Sequence, residues 1–159
     1  TMTSKIIEAS IVHGGIISVL HGACFEETWN EKAITEILNM PGMIGLLVGI
    51  EEGTPQGFIF MRVAADEAEI ISIGVIPAAR KKGLASILLL ESIKRAAMSG
   101  VVKIFFEVAE DNKTAMAFYE TFGFQIIGKR LGYYKRSSKK LDAIVCRLNI
   151  FDKQGSGLS

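Results

Sequence analysis

Short blocks of hydrophobic residues alternate with polar turns along the chain, at spacings that predict strands in its first half. Lys5 to Ile11 alternates apolar and polar positions imperfectly and predicts a first strand. Ile44 to Ile50 and Gln56 to Ala64 are two β-rich runs joined by a turn that contains Gly and Pro, which is typical of a hairpin. A further apolar run, Glu69 to Ile76, stops at Pro77. The pattern predicts three antiparallel strands that lead into the Glu69 strand.

A long helix and a buried strand follow this run. Leu84 to Met98 contains no Gly or Pro, and its apolar residues recur at helical spacing. Gly100 comes directly afterwards as a helix stop. Val101 to Val108 is apolar enough for a strand that is buried on both faces. Strand, helix and strand in this order predict a right-handed crossover between two parallel strands.

Two more helices are predicted near the beginning of the sequence. Ile16 to Phe25 follows a pair of glycines and has an apolar helical face. Lys32 to Asn39 has the same kind of pattern. Thr28 and Glu31 have the spacing of a capping box, so we expect them to begin this second helix.

The last part of the sequence predicts one short helix and two strands. Asn112 is the expected N-cap of the helix, and Gly123 is expected to end it in a left-handed conformation. Strands are predicted over Phe124 to Ile127 and Leu141 to Ile150, separated by a polar basic loop, Lys135 to Lys140. The fold class is therefore α/β (α+β), with a mixed, mostly antiparallel sheet of about seven strands and about four helices.

Length and composition indicate one globular domain. The 159 residues fit a single domain over residues 1–150, with residues 151–159 as a flexible tail. A net charge of +1 gives no electrostatic reason to expect nucleic acid or an anionic membrane. No apolar run reaches the ~20 residues of a membrane span, and no secretion signal is evident. Cys24 and Cys146 fit buried thiols in a reducing cytoplasm.

Neither the histidines nor the basic loop points to a further site. His13 and His21 have no Cys, Asp or Glu at ligand spacing, so we expect structural roles and no metal. The Lys135 to Lys140 loop fits a solvated surface, and the alternative is a contact with an acidic or RNA-bearing partner. Direct nucleic-acid binding is not expected.

A basic glycine turn joins the Glu69 strand to the long helix. Its sequence is Arg80-Lys81-Lys82-Gly83-Leu84-Ala85. The first N–H groups of a helix lack internal partners and carry partial positive charge, so they can converge on a phosphate where glycine permits close approach. The three cations would add full charges. The turn therefore predicts a pyrophosphate cradle, and the alternative is a solvated basic turn without a ligand.

In this context the turn resembles that of the GNAT superfamily of N-acetyltransferases. The features are Arg-x-x-Gly-x-Ala after an apolar strand, Glu107 near the end of the next strand, and a segment from Asn112 to Phe124 that contains Phe118-Tyr119-Glu120. The resemblance implies a sheet whose central parallel strands splay apart and acetyl-CoA as the co-substrate. It also implies that Ile73, Gly74 and Val75 offer backbone groups to the acetyl and pantetheine units. The full acetyl-CoA site that it implies is Ile73, Gly74, Val75, Arg80, Lys81, Lys82, Gly83, Leu84, Ala85, Ser86 and Asn112.

The same resemblance implies two catalytic side chains. Glu107 interrupts a Val-, Ile- and Phe-rich strand, where a carboxylate is costly unless it is paired or hydrated, and it would take a proton from the acceptor amine. The structural alternative is a salt bridge or a turn cap. Tyr119 would give a proton to the departing CoA thiolate, and its alternative is a core position.

Within the superfamily, the chain is most similar to the bacterial ribosomal-protein alanine N-acetyltransferases. This similarity implies that Trp29, Arg130, Tyr133 and Tyr134 line a peptide groove, although Trp29 fits a core position equally well. An α-amine has a pKa near ~8 and a lysine near ~10.4, so a neutral lysine costs ~3 kcal/mol more at neutral pH. A single Glu base therefore suits an α-amine. Leu131-Gly132 and the basic loop depart from the family's pattern.

Three functions remain open from the sequence. The first is acetylation of a protein N-terminal α-amine, by direct transfer in a ternary complex. The second is acetylation of a small-molecule amine. The third is a non-catalytic acyl-CoA-binding domain, which would need neither Glu107 nor Tyr119. A wide, open acceptor groove would favour the first function over the second.

Overall fold

The computed structural model describes residues 4–50, 53–136 and 139–150. The tail expected over residues 151–159 lies outside the described residues. Short 3₁₀ turns occupy Ile11–His13 and Pro77–Ala79. The strands are β1 Ser4–Glu8, β2 Met43–Ile50, β3 Gly57–Ala64, β4 Glu67–Val75, β5 Lys103–Ala109, β6 Gln125–Arg136 and β7 Lys139–Asn149, and the helices are α1 Gly14–Cys24, α2 Glu31–Leu38, α3 Leu84–Met98 and α4 Lys113–Thr121.

The strands form one mixed sheet in the order β1-β2-β3-β4-β5-β7-β6. Each described neighbouring pair is antiparallel except β4 and β5, which are parallel. Their register is Glu67 with Lys103, Ala68 with Ile104, and Glu69 with Phe105. Beyond Glu69, β4 continues to Val75 without further pairing to β5 in the described register. The predicted sheet, with its central parallel pair splayed apart, is confirmed.

Helix α3 makes the crossover between the two parallel strands and packs on one face of the sheet. Leu88 and Leu89 are fully buried against β2, β3 and β4. Full burial of one such side chain contributes about 1.5–3 kcal/mol relative to exposure. Gly100, with a φ of +91°, ends the helix as predicted, because this left-handed conformation is strained for other residues.

The opposite face of the sheet is covered by α1 and α2. Their core contains Ile17 and Ile34, which pack against Phe58 and Phe60 of β3. Helix α1 contacts β3 and β4, and α2 contacts β2. The two helices therefore cover the β2–β4 half of this face, while β5, β7 and β6 form the other half.

One predicted helix cap and one predicted strand end are wrong. Helix α2 is capped by Asn30, whose side-chain oxygen accepts a hydrogen bond from the Ala33 N–H at 2.8 Å, and not by Thr28. Asn30 has extended backbone and a short acceptor side chain, which suit the N-cap position. The first strand ends at Glu8 instead of Ile11, because Ser10 and His13 form a reciprocal cap around a 3₁₀ turn.

The predicted Lys135 to Lys140 loop is also wrong in its bounds. Strand β6 runs to Arg136 and β7 begins at Lys139, with Lys135 opposite Lys140. Residues 137 and 138 lie outside the described residues. Basic residues are poor local signals for a strand, but pairing of their backbone groups with a neighbouring strand decides the conformation here.

Candidate active site

The opening between β4 and β5 exposes backbone groups of β4. The Ile76 N–H donates a hydrogen bond to the Gln56 carbonyl at 2.9 Å, which makes these two residues a hydrogen-bonded pair between β4's end and β3. Such pairs alternate in antiparallel sheets, so Gly74 and Phe58 form the next one. Ile73 and Val75 therefore direct their N–H and C=O groups away from β3, towards the opening.

Gly74 contributes to the site through its missing side chain. A Cβ at this position would lie 3.0 Å from the Cys24 sulfur and 3.0 Å from a ring carbon of Phe58. Because both distances are tighter than most Cβ contacts, a larger residue would push the end of α1 away from β4 by a few tenths of an ångström. Its own backbone groups bond to β3, so Ile73 and Val75 are better placed to face a ligand.

The predicted cradle has the backbone geometry of an anion site. Gly83 is the N-cap of α3 with a φ of +79°, and no side chain caps this helix start. The first hydrogen bond across the turn runs from the Ile87 N–H to the Gly83 carbonyl, so the N–H groups of Leu84, Ala85 and Ser86 have no helical partner. Nothing lies within 4 Å of a Cβ placed on Gly83, and Lys82 is exposed nearby.

Lys81 is also exposed in this turn, and it has an unusual backbone conformation. Its φ of +64° lies in the left-handed region, which is uncommon for a side chain other than Gly, Asn or Asp. Successive left-handed and turn conformations direct consecutive N–H groups to the same side. Lys81 and Gly83 therefore shape the turn around the exposed N–H groups.

Tyr119 lies beneath the opening on the α3 side of the sheet. Its ring packs on Phe106 with centroids 4.1 Å apart, and Phe106 is the first β5 residue beyond the part paired with β4. Tyr119 is 2% exposed, and its hydroxyl has no hydrogen-bond partner among the described residues. Burial, with a smaller contribution from Cys146, raises the pKa of Tyr119 well above its ordinary value. The phenol is therefore protonated at neutral pH and can donate a hydrogen bond to a ligand atom.

Glu107 lies on the other face of the sheet, because side chains alternate along β5 after Phe106. Its Oε1 pairs with Arg130 Nε at 2.9 Å, and the side chain of Glu107 is 20% exposed against 57% for Arg130. The predicted salt-bridge alternative is therefore present. A carboxylate has about four acceptor positions, so this pairing leaves room for a further donor.

The side chains expected to line the acceptor groove lie in two places. Trp29 is half-buried, and its ring stacks on His21 at 4.4 Å. The backbone N–H of Trp29 donates to His21 Nδ1 at 3.2 Å, and Trp29 packs against the α1–α2 core. Arg130 lies 5.1 Å from the Tyr133 ring, in a cation–π contact. Tyr134 pairs with Leu141 in the sheet, and its side chain lies outside the described residues.

Gly132 and Asp142 form a feature that the sequence analysis missed. The register of β6 shifts between Arg130 and Tyr134. Gly132 has a φ of +60° there, and its N–H donates to Asp142 Oδ1 at 2.9 Å. A glycine inside a strand pattern is a signal for a bulge, and it could have indicated this one. The bulge re-aims the side chains next to Arg130.

Other predicted residues have local roles. Asn112 caps α4 by accepting a hydrogen bond from the Ala115 N–H at 3.1 Å, and Gly123 has a φ of +93° after this helix, both as predicted. His21 is 3% exposed between Phe25 and Trp29. Across the described ranges, no three His, Cys, Asp or Glu side chains are arranged to hold a metal ion. Within those same ranges, no helix has the length and apolar character needed to cross a membrane.

Comparison with known proteins identifies the class of protein. Residues 16–124 match the model of the acetyltransferase (GNAT) family. Since this match takes in more than half of the chain, the protein belongs to the GNAT family and is an N-acetyltransferase. The resemblance recognised in the sequence is confirmed.

The particular relatives include a ribosomal-protein alanine N-acetyltransferase. A ribosomal protein bS18-alanine N-acetyltransferase of Escherichia coli strain K12 is 33% identical over 100 residues, which cover 63% of this chain and 68% of that protein. The crystal structure of the E. coli ribosomal-protein-S18-alanine N-acetyltransferase superposes with a TM-score of 0.86 at 25% identity, covering 93% of this chain and 94% of that one. Arabidopsis thaliana NAA60 in complex with acetyl-CoA shares the fold, with a TM-score of 0.79 at 16% identity and coverage of 93% and 99%.

Proposed function

We propose that the protein transfers the acetyl group of acetyl-CoA to the α-amine of a protein N-terminus, by direct transfer in a ternary complex. One observation carries this proposal. Glu107 and Tyr119 belong to opposite faces of the sheet, next to the point where β4 and β5 separate and beside an uncapped helix start. A base and an acid on either side of one opening suit a reaction in which an amine enters from one face and a thiol leaves on the other.

The residues of the opening fit acetyl-CoA. The uncapped N–H groups of Leu84, Ala85 and Ser86 would hold the pyrophosphate, with Lys81 and Lys82 adding charge. The backbone groups of Ile73 and the N–H of Val75, whose carbonyl already accepts from Arg80, would hold the pantetheine arm as another strand does. Tyr119 has a buried hydroxyl without a partner in the described residues, which a ligand sulfur could satisfy. Asn112, at the start of α4, would border the same arm.

Glu107 would act as the general base, directly or through one water. Its carboxylate is held by Arg130 and would accept a proton from the incoming ammonium or amine. About a tenth of an α-amine with a pKa near ~8 is neutral at pH 7, whereas a lysine near ~10.4 costs ~3 kcal/mol more to deprotonate. The single carboxylate at the opening therefore favours an α-amine.

Tyr119 would act as the general acid. Its raised pKa keeps the phenol protonated until the thiolate of CoA departs. A free thiol has a reference pKa near ~8.5, so a proton from a phenol in contact with the sulfur stabilises the leaving group as the C–S bond breaks. The amine nitrogen gains the acetyl group, and its proton passes to Glu107.

The acceptor would approach over the half of the sheet that α1 and α2 leave uncovered. Trp29, Arg130, Tyr133 and Tyr134 would border this approach. The E. coli relative is named for acetylation of alanine in ribosomal protein S18, and an N-terminal alanine of such a protein is the acceptor that we propose first. A ribosomal-protein substrate would place the protein in the cytoplasm, and recognition would fall on the peptide rather than on nucleic acid.

Peptide acetylation by the purified protein tests the proposal. The two substrates are a short peptide that begins Ala-Arg, and its counterpart with a blocked N-terminus and one lysine. We expect acetyl-CoA turnover with the free α-amine and at least tenfold less with the blocked peptide. Turnover with neither peptide, together with tight acetyl-CoA binding, would contradict the proposal and favour a small amine or a binding domain. Faster turnover with the lysine peptide would also contradict it.

A further inference from the structure

Arg80 does not direct its side chain out of the cradle as its place in the Arg-x-x-Gly-x-Ala turn suggests. Its Nε donates a hydrogen bond to the Val75 carbonyl at 3.0 Å, five residues back along the chain. Val75 is the last residue of β4. Because hydrogen-bonded pairs alternate between β3 and β4, its backbone N–H and C=O point away from β3, towards the opening. The guanidinium therefore turns back under the opening and satisfies a carbonyl that β5 does not reach.

The same guanidinium reaches the end of α1. Burial raises the pKa of the Cys24 thiol, and the positive charge of Arg80, which lies close to this thiol, partly offsets the effect. Cys24 is the last residue of α1, and its sulfur lies directly over Gly74. Arg80 thus contacts the turn, β4 and α1 together, which a lysine in its place could not do with a single ammonium group.

The end of α1 leads directly to the residues that border the acceptor side. Phe25 follows Cys24, and its ring packs near His21, which in turn stacks on Trp29. Ser18 of α1 also donates a hydrogen bond to the Trp29 carbonyl at 2.8 Å. A shift of the α1 end would therefore be transmitted to Trp29 through packed side chains.

We propose that Arg80 is a positioning residue that holds the glycine turn, Arg80 to Ala85, against the end of α1. The opening between β4 and β5 and the acceptor side around Trp29 would then keep a fixed position relative to each other. This inference rests on the proposed function for its meaning in catalysis. It assigns the phosphate charges to Lys81 and Lys82, and it gives the Arg80 guanidinium, although this residue is also exposed, a structural role through its bond to Val75. The matched comparison is Lys82, an exposed cation two residues away that carries the same charge.

Trp29 provides a readout that does not depend on any acceptor, because it is the single tryptophan of the chain. The experiment titrates wild type, R80K, R80Q and K82Q with CoA. It records the fluorescence emission of Trp29 and, by isothermal titration calorimetry, the Kd for CoA. We expect CoA to change the emission of wild type and K82Q. In R80K and R80Q this change should be lost, while the Kd for CoA stays within about threefold of wild type. K82Q should weaken CoA binding more than R80K does, with a reduced dependence on salt.

Steady-state kinetics separate this inference from the proposed function. With an accepted amine, R80K should raise the KM for the acceptor about tenfold and leave the KM for acetyl-CoA nearly unchanged. C24A should show the same direction of change, because it removes the other end of the contact. The inference is overturned if wild-type emission does not respond to CoA, if R80K responds as wild type does, or if R80Q loses CoA affinity as K82Q does. The emission and calorimetry results stand even if no peptide is acetylated.

Discussion

Tyr119 holds a hydroxyl group out of water and without a hydrogen-bond partner among the described residues. Leaving a buried polar group unpaired costs about 1–3 kcal/mol of stability. Three aromatic rings, those of Phe106, Phe118 and Phe124, hold the tyrosine in place despite this cost. Such a residue fits a site where the missing partner is a ligand atom, here the sulfur of CoA in the proposed reaction.

Substitution Tyr119→Phe separates the chemical role from the structural one. We expect turnover to fall by about 10²–10⁴ because the general acid is lost. The Kd for acetyl-CoA should change little, and the melting temperature should stay equal or rise because an unpaired hydroxyl is removed. Single-turnover assays, calorimetric titration and thermal unfolding measure the three quantities. Unchanged turnover would remove Tyr119 as the acid, and a large loss of stability would show that the hydroxyl has a structural partner.

At the scale of the elements, the crossover from β4 through α3 to β5 creates the site. The parallel pair is short, with register from Glu67 to Glu69 only, so the rest of β4 offers its backbone to a ligand. The start of α3 lies at the same end and lacks a side-chain cap. The two features belong together, because both present unpaired backbone groups where the strands separate.

Gly83 tests the anion-binding role of the α3 start. Gly83→Glu should abolish acetyl-CoA binding, because it places bulk and negative charge where the pyrophosphate would lie. Gly83→Ala is the control. It carries the same left-handed backbone strain, of about 1–2 kcal/mol, but adds only a methyl group in open space. Calorimetric titration with CoA, together with melting temperatures, compares the two variants. Normal affinity in Gly83→Glu would contradict the cradle assignment.

At the scale of the whole molecule, the two faces of the sheet contain separate hydrophobic cores and different candidate catalytic residues. The α3 face contains the larger core and Tyr119, and the opposite face contains the α1–α2 core and, further along the sheet, Glu107. His21 belongs to this second core, where it contacts Phe25, Trp29 and Phe58. The acceptor side therefore depends on a buried imidazole for its packing.

Stability should fall in mild acid because of His21. Burial lowers the pKa of His21 below the ordinary histidine value of about 6.5, so the unfolded chain binds this proton more readily than the folded one. The contribution of neutral His21 is therefore complete above pH 6.5 and is lost as the pH falls towards the folded pKa. The free energy of unfolding, measured by urea titration from pH 7.5 to 5, should decrease in wild type more than in His21→Phe. Parallel curves for the two proteins would contradict this role.

The sequence alone indicated most of the elements and the family. The apolar runs, the glycine stops at Gly100 and Gly123, and the Asn112 cap are local features, so each could be predicted from neighbouring residues. The basic turn and the Glu and Tyr motif also indicated the family that the comparisons confirm. The predictions failed where two nearby residues could both cap a helix, as Thr28 and Asn30 could at the start of α2. They also failed where pairing with a neighbouring strand determines the backbone conformation, as in β6 and β7.

Only the tertiary structure decided which side chains meet. Glu107 and Arg130 are 23 positions apart in sequence, and their pairing depends on β7 lying between β5 and β6. The contact of Arg80 with Cys24 and the unpaired hydroxyl of Tyr119 likewise depend on packing between distant segments. Local patterns encode backbone conformation because it depends on nearby residues. Contacts between elements depend on the register and order of the strands, which short-range propensities do not specify.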